Sequence, residues 1–345
     1  VRLQSAKRRG AVRRFPAMSA QFDEYPAVPF YTQDDDVFYY DSSALAHHLD
    51  DRQQLDHPPL MPRDSRMAFV CQFIDEAFDE FGLYMVHHMR WVTSARTPMG
   101  VMTARALRAL LPPGFTPLLA RRLYHRQVSR CPYLFSVAPE GFDVGMSPLR
   151  TPPARAGFPP THALLDEAWR RYVAAMESLL AQQPFLLGGR FTLADASAYG
   201  QLGMNMVDPE AAALLQELAP RTWRWLCTIR GGEHRSAKGE LALTPALQPL
   251  MAVISETFIP LMRQNEAAYE VARTRGETLF NEAAFARGRA LYDGQLLGYP
   301  FRAVVKTFQV RVWREVQASW RALQAGDRDI LERDLYPTLR ELNQP

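Results

Sequence analysis

Asp41 and Ser42 stand where a β-favouring run ending at Tyr40 gives way to a helical one, a place where two side chains can do chemistry together. Amides at a helix N-terminus and a serine hydroxyl can take up a carboxylate, while an aspartate can face an ammonium group. The same pair can equally be a plain helix cap. Farther on, Asp75, Glu76, Asp79 and Glu80 precede His87, His88, Arg90 and Trp91. Asp75 and Asp79 share a helix face with the histidines about two turns beyond, so a carboxylate and histidine metal site can be drawn. The competing reading, which we take, is a solvated acidic face with no metal, ending in cations that suit the helix dipole. Near the C-terminus Phe301, Phe308, Trp313 and Trp320 alternate with Lys306, Arg311 and Arg314, as in a stacking surface for single-stranded nucleic acid. Helical spacing instead puts Phe301, Phe308 and Val312 near one face with the cations largely off it, so core packing is the expectation.

These groups need elements to hold them. Val1 to Ala20 has room for one short helix. Pro26 and Pro29 forbid helix around Val28, and Phe30 to Tyr40 reads as a hairpin of two short strands with its turn at Gln33-Asp34-Asp35-Asp36. Ala44, Leu45, His48 and Leu49 then mark one face of a helix. His57-Pro58-Pro59-Leu60-Met61-Pro62 is a linker, with a boundary near residue 60. Helical periodicity follows over Met67 to Trp91, Thr103 to Leu111, Pro117 to Val128 and Thr161 to Gln182, with a proline-rich loop over Ser147 to Pro160. Thr192 and Asp195 have the spacing of a capping box that opens another helix, a folding device and not a catalytic pair. Arg221 to Ile229 continues the helical unit, and polar Arg230 to Leu243 is a second linker. Beyond it, Leu247 to Thr274 and Val304 to Leu323 read as helices and Ile330 to Leu342 as a weaker one. Tyr292-Asp293-Gly294-Gln295 permits either helix or a hairpin turning at Asp-Gly.

Ala27-Val28-Pro29-Phe30, Tyr40-Asp41-Ser42-Ser43-Ala44-Leu45 and Leu187-Gly188-Gly189-Arg190-Phe191-Thr192-Leu193-Ala194-Asp195, in this order, resemble the soluble glutathione transferase superfamily over roughly residues 1 to 230. The resemblance implies an α/β plus all-α protein. An incomplete thioredoxin-like glutathione-binding domain (1–55) is followed by a glutathione-transferase-type helical domain (63–230) and a mostly helical C-terminal extension (245–345). It implies a cis peptide before Pro29, with Val28 pairing its main chain to the cysteinyl part of glutathione and Asp41 and Ser42 holding the γ-glutamyl part. His88, Arg90 or Trp91 would line an electrophile pocket by position in that fold.

The implied activity is transfer of the glutathione thiolate to an electrophilic small molecule, with glutathione as co-substrate and detoxification as the setting. A non-catalytic binding or scaffold protein of the same fold is the alternative. Family members carry the thiol-activating Tyr, Ser or Cys ahead of a segment resembling Val1-Arg2-Leu3, so the activating residue is expected upstream of Val1 and the catalytic residue is unassigned. Ordinary composition supports a folded protein: 47% hydrophobic and 22% charged residues with a formal charge of +3 over 345 residues argue for neither nucleic acid nor an anionic membrane as partner. Cys71, Cys131 and Cys227 are too scattered for a disulfide framework and are expected in the core, which suits a reducing cytoplasm. The basic stretch Val1 to Arg14 fits a solvated helix face better than a transit peptide. No apolar stretch is long enough to span a bilayer. A homodimer is expected by resemblance alone.

Overall fold

The protein is described from a computed structural model, for residues 12–14, 38–51, 58–94, 105, 114–142 and 152–343. Val28 and the expected strand at its side, like the expected helix over Thr103 to Leu111, lie outside the described residues apart from a helical residue 105.

Strand β1 (Val12–Arg14) lies parallel to β2 (Phe38–Tyr40), in the register Val12 to Phe38 and Arg14 to Tyr40. Residues 12–14, within the stretch with room for one short helix, are extended, and the rest of that stretch lies outside the described residues. Parallel strands cannot be joined by a tight turn, and residues 15–37 supply the length such a connection needs. Helix α1 (Ser42–Asp51) follows β2 directly. Its last turn anchors the proline linker: the Asp50 carboxylate accepts the amides of Leu60 (3.0 Å) and Met61 (2.8 Å), and Arg190 donates to the Pro59 carbonyl (2.8 Å).

A long helical run comes next, α2 (Ser65–Ala77) and α3 (Leu83–His88), joined by one π turn (Phe78–Gly82) and followed by a second (Met89–Thr93). Asp64 starts it by accepting the amides of Arg66 and Met67. Each π turn admits an extra residue and rotates the faces that follow, a feature that clusters at functional sites. The helical unit continues through α4 (Thr116–Arg130), α5 (His162–Leu179), α6 (Leu193–Leu202), α7 (Pro209–Leu218) and α8 (Pro220–Gly231). Asp195, fully buried, accepts the amides of Leu186 (2.9 Å) and Thr192 (3.0 Å) and the Thr192 hydroxyl (2.9 Å), so the capping box forms and also fastens the preceding turn. The polar stretch after α8 packs its backbone on that turn, the Gly189 amide donating to the Glu240 carbonyl and a Cβ on Gly189 having to meet Gly239 at 2.8 Å.

The last hundred residues are α9 (Gln248–Thr274), α10 (Asn281–Ala286), an antiparallel hairpin of β3 (Leu291–Leu296) and β4 (Tyr299–Val304), α11 (Thr307–Ala322), α12 (Ala325–Ile330) and a final 3-10 stretch (Pro337–Asn343). The hairpin turns at Leu297-Gly298, whose φ of 51° and 81° are both left-handed, as in a type I′ turn. The expected turn at Asp293-Gly294 is corrected: both lie within β3. Gly294 is needed there for space, since a Cβ would fall 2.4 Å from the Phe301 ring and 2.5 Å from Gln264. This tail joins the helical core. Phe69 packs on Trp320 (4.9 Å between ring centres), Phe73 on Phe258 (5.7 Å) and Phe135 on Phe301 (4.9 Å), all within one apolar cluster. At about 25 cal/mol per Å² of apolar surface removed from water, this packing is the main force holding the tail in place. Phe301, Trp313 and Trp320 are core as expected, but Phe301 lies in β4 and not on a helix face, and Phe308 is half-buried.

Candidate functional site

Four segments distant in sequence converge on a cavity of about 290 Å³. Asp41, Ser42 and Ser43 come from the strand-to-helix junction, while Glu76, Asp79, Glu80 and Tyr84 come from the long helix around its first π turn. Arg130 and Tyr133 come from the end of α4, and Lys306, Phe308 and Arg311 from the start of α11.

Asp41 is the pivot of the first wall. Its φ of 83° lies in the left-handed region that a side chain other than glycine adopts at a cost of roughly 1–2 kcal/mol, strain that persists where the surroundings demand it. Its carboxylate caps α1 by accepting the Ala44 amide (3.0 Å), its carbonyl accepts the Leu45 amide (3.0 Å), and its other carboxylate oxygen lies 3.6 Å from the Arg311 guanidinium. Ser42, the first residue of α1, is exposed.

The second wall is acidic. Asp79 accepts the Ser197 hydroxyl (2.9 Å) and the Gln201 amide (3.3 Å). Burial holds Asp75 and Glu76 well above the ordinary carboxylate range, with repulsion among the carboxylates adding to the rise, and also raises Asp79. Burial also pushes Glu80 up to about 7, Asp79 reinforcing the shift while Arg311, Gln309 and Lys306 hold it back. By exposure Glu76, Asp79 and Glu80 are only half-buried, because the surface they retain faces the cavity.

The third wall is cationic and aromatic. Lys306 is 4% exposed, its backbone fixed by Asn265, which accepts from its amide and donates to its carbonyl (both 2.9 Å). Its ammonium lies 4.2 Å from the centre of the Tyr84 ring and 4.7 Å from that of Tyr133, and donates to the Tyr84 hydroxyl. Gln309 donates to the same hydroxyl at 2.9 Å. Arg130 reaches Glu282 with two hydrogen bonds (2.8 and 3.1 Å). Carboxylates and cations on opposing walls suit a ligand that carries both signs of charge.

Sequence reasoning located Asp41 and Ser42 on this cavity but missed Tyr84, Lys306 and Gln309. Lys306 was placed among cations off the apolar face, whereas it points inward. The signal lay in its position between the β4 run and the α11 run, where a junction residue enters the interior. None of His88, Arg90 and Trp91 lines this cavity. His88 bonds His162 (2.8 Å) and Ser136 (3.3 Å), Arg90 pairs with Asp208 (3.0 Å), and Trp91 packs on Tyr124. The pocket-facing residues lie one to three turns earlier on the same helical run. The drawn metal site likewise does not assemble: Asp79 and His88 keep separate partners, and no group among the described residues could hold a metal ion. Cys71 and Cys131 are buried, but Cys227 is exposed and is corrected as a core residue.

Residues 154–226 match the family described as glutathione S-transferase, C-terminal domain. This stretch carries a C-terminal domain of the glutathione transferase type. Comparison with curated proteins and with solved structures finds no match. The matched stretch of this transferase-type domain runs from the loop before α5 into α8 and contains the Thr192 and Asp195 box, but none of the side chains that line the cavity. No helix among the described residues is long and apolar enough to cross a membrane.

Proposed function

We propose that the cavity binds glutathione and presents its sulfur to an electrophilic small molecule. The observation that carries this reading is the opening of the strained Asp41-Ser42 junction onto a cavity with carboxylates on one wall and cations on another. Glutathione has two carboxylates and one ammonium group, so it can use both kinds of wall. Ser42, with its hydroxyl and the first amides of α1, takes the γ-glutamyl carboxylate. Asp41 stays on its cap and turns toward the ammonium, with Arg311 released to a ligand carboxylate. Val28 pairs with the cysteinyl backbone in the same reading. The parallel pairing of β1 with β2 and the helix that follows support an N-terminal thioredoxin-like unit over 1–55, with units over 63–230 and 245–345 after it.

Arg311 seated on Asp41 supports a second reading, a non-catalytic binding or scaffold protein of the same fold, because the aspartate is there engaged by the chain itself. Calorimetric titration separates the two. The proposal predicts saturable binding of glutathione and at least tenfold weaker binding of cysteinylglycine, which lacks the γ-glutamyl end. Equal affinities, or none for either, would favour the scaffold.

A further inference from the structure

The hairpin of β3 and β4 has two outer edges, and the chain treats them differently. The Ala290 carbonyl accepts the Val305 amide (2.9 Å), which opens a ladder in which Tyr292, Gly294 and Leu296 turn their main-chain groups toward β4. Leu291, Asp293 and Gln295 therefore turn theirs outward, to the side of α9. At Gln295 those groups are taken by the Gln264 side chain, which accepts from the Gln295 amide (2.8 Å) and donates to its carbonyl (3.0 Å), as a neighbouring strand would. At Leu291 and Asp293 the outward amides and carbonyls have no partner among the described residues. On the outer edge of β4 the residue opposite Gln295 is Pro300, which has no N–H to offer.

The open stretch of β3 borders a second cavity, of about 650 Å³, which shares no lining residue with the first. Its other wall is one face of α9, where Ala267, Ala268, Val271 and Ala272 recur at helical spacing and leave room beside the strand. Val271 is apolar yet 48% exposed. Arg275, just past the end of α9, is exposed at the far end of the groove, and its guanidinium has no partner among the described residues. The carboxylates nearby are occupied: Glu277 pairs with Arg289 (2.9 Å) and accepts the amides of Thr278 and Leu279, and Asp293 pairs with Arg302 (2.7 Å).

We propose that this groove binds the C-terminal end of an extended peptide, which adds a strand antiparallel to β3 and sets its terminal carboxylate on Arg275. Direction follows from the two ends. β3 runs from Leu291 toward the Gln264 contact, so a peptide that ends at Arg275 runs against it. Gln264 fills the pairing position at Gln295, which limits the groove to about four peptide residues, roughly 13 Å of strand. Leu291 and Asp293 supply main-chain hydrogen bonds, the α9 face favours small apolar side chains, and Arg275 selects a chain end over a chain interior. The site is independent of the glutathione reading, and either can fail alone.

The test is fluorescence anisotropy of a dye-labelled peptide, Gly-Ser-Gly-Ser-Ala-Val-Ala-Val with a free carboxylate, titrated with the full chain. Saturable binding is expected, about fivefold weaker for the same peptide ending in an amide. Arg275→Ala, at an exposed position, should weaken the free acid about fivefold and leave the amide unchanged, the coupling that a carboxylate on Arg275 requires. Val271→Glu, also exposed, should weaken both forms by placing a charge against the apolar side chains. Strand pairing uses every second peptide amide, so N-methylation at one of the last residues should cut affinity roughly tenfold and N-methylation at its neighbour less than about threefold. Equal losses at neighbouring positions overturn strand addition. Absence of saturable binding by the free acid, or equal affinities for acid and amide, overturns the proposal and leaves the glutathione reading untouched.

Discussion

Two helix N-termini in this protein use nearly the same chemistry to opposite ends. At α6, Thr192 and Asp195 are completely buried, and Asp195 satisfies three donors from two segments. At α1, the Asp41 side chain accepts the Ala44 amide, and the residue sits at a left-handed φ, meets a distant arginine and borders a cavity. The first junction spends all of its hydrogen-bonding capacity on the fold. The second holds its strain where the chain borders a cavity. The difference lies in the surroundings and not in the motif, and it predicts which variants unfold the chain and which disarm it.

The largest effect is expected from Asp195→Ala. Removing a buried acceptor leaves the Leu186 and Thr192 amides without partners, and denaturant unfolding should show a loss of about 3–5 kcal/mol. A loss below about 1 kcal/mol would mean that the two caps are not so different after all.

Glu80→Gln sharpens the contrast from the cavity side. In the folded chain the Glu80 carboxyl lies at about 7 against an ordinary 4.5, so the folded state holds more protons than the unfolded one between those values. Its contribution to stability therefore falls as pH rises through that window, and the full penalty is present above pH 7. Glu80→Gln should match the parent near pH 4 and exceed it by about 1–3 kcal/mol near pH 8. His87, held down to about 3 by burial, acts with the opposite sign, adding stability as pH rises from about 3 toward 6.5. Comparing the variant with the parent at each pH isolates Glu80.

Asp41→Ala removes a cap but keeps the left-handed backbone, and should cost about 1 kcal/mol. Asp41→Gly loses the same cap and relieves the φ, so it should be more stable than Asp41→Ala by roughly 1 kcal/mol. Equal stabilities would show that the positive φ carries no strain.

Local signals were legible in the sequence and long-range ones were not. The Thr192 and Asp195 spacing announced its helix, and the change from β-favouring to helical residues at Asp41 announced the junction, because both are written within four positions. The Tyr84 and Lys306 contact spans most of the chain and leaves no local trace. Pairing of residues 12–14 with 38–40 was likewise hidden, since a three-residue strand has too few positions to show a period. The hairpin turn at Leu297-Gly298 was missed because Leu is an unusual residue at a left-handed position, while Asp293-Gly294 offered the commoner turn signal for a glycine that is needed for room.

The central claim is that the Asp41-Ser42 junction seats glutathione while the Thr192 and Asp195 junction only folds the chain. Glutathione affinity measured by calorimetry on the parent, Ser42→Ala and Thr192→Ser tests it most directly. Ser42→Ala should weaken binding about tenfold, a loss of about 1.4 kcal/mol, with thermal stability unchanged, whereas Thr192→Ser should leave affinity alone. Undiminished binding in Ser42→Ala would contradict the account.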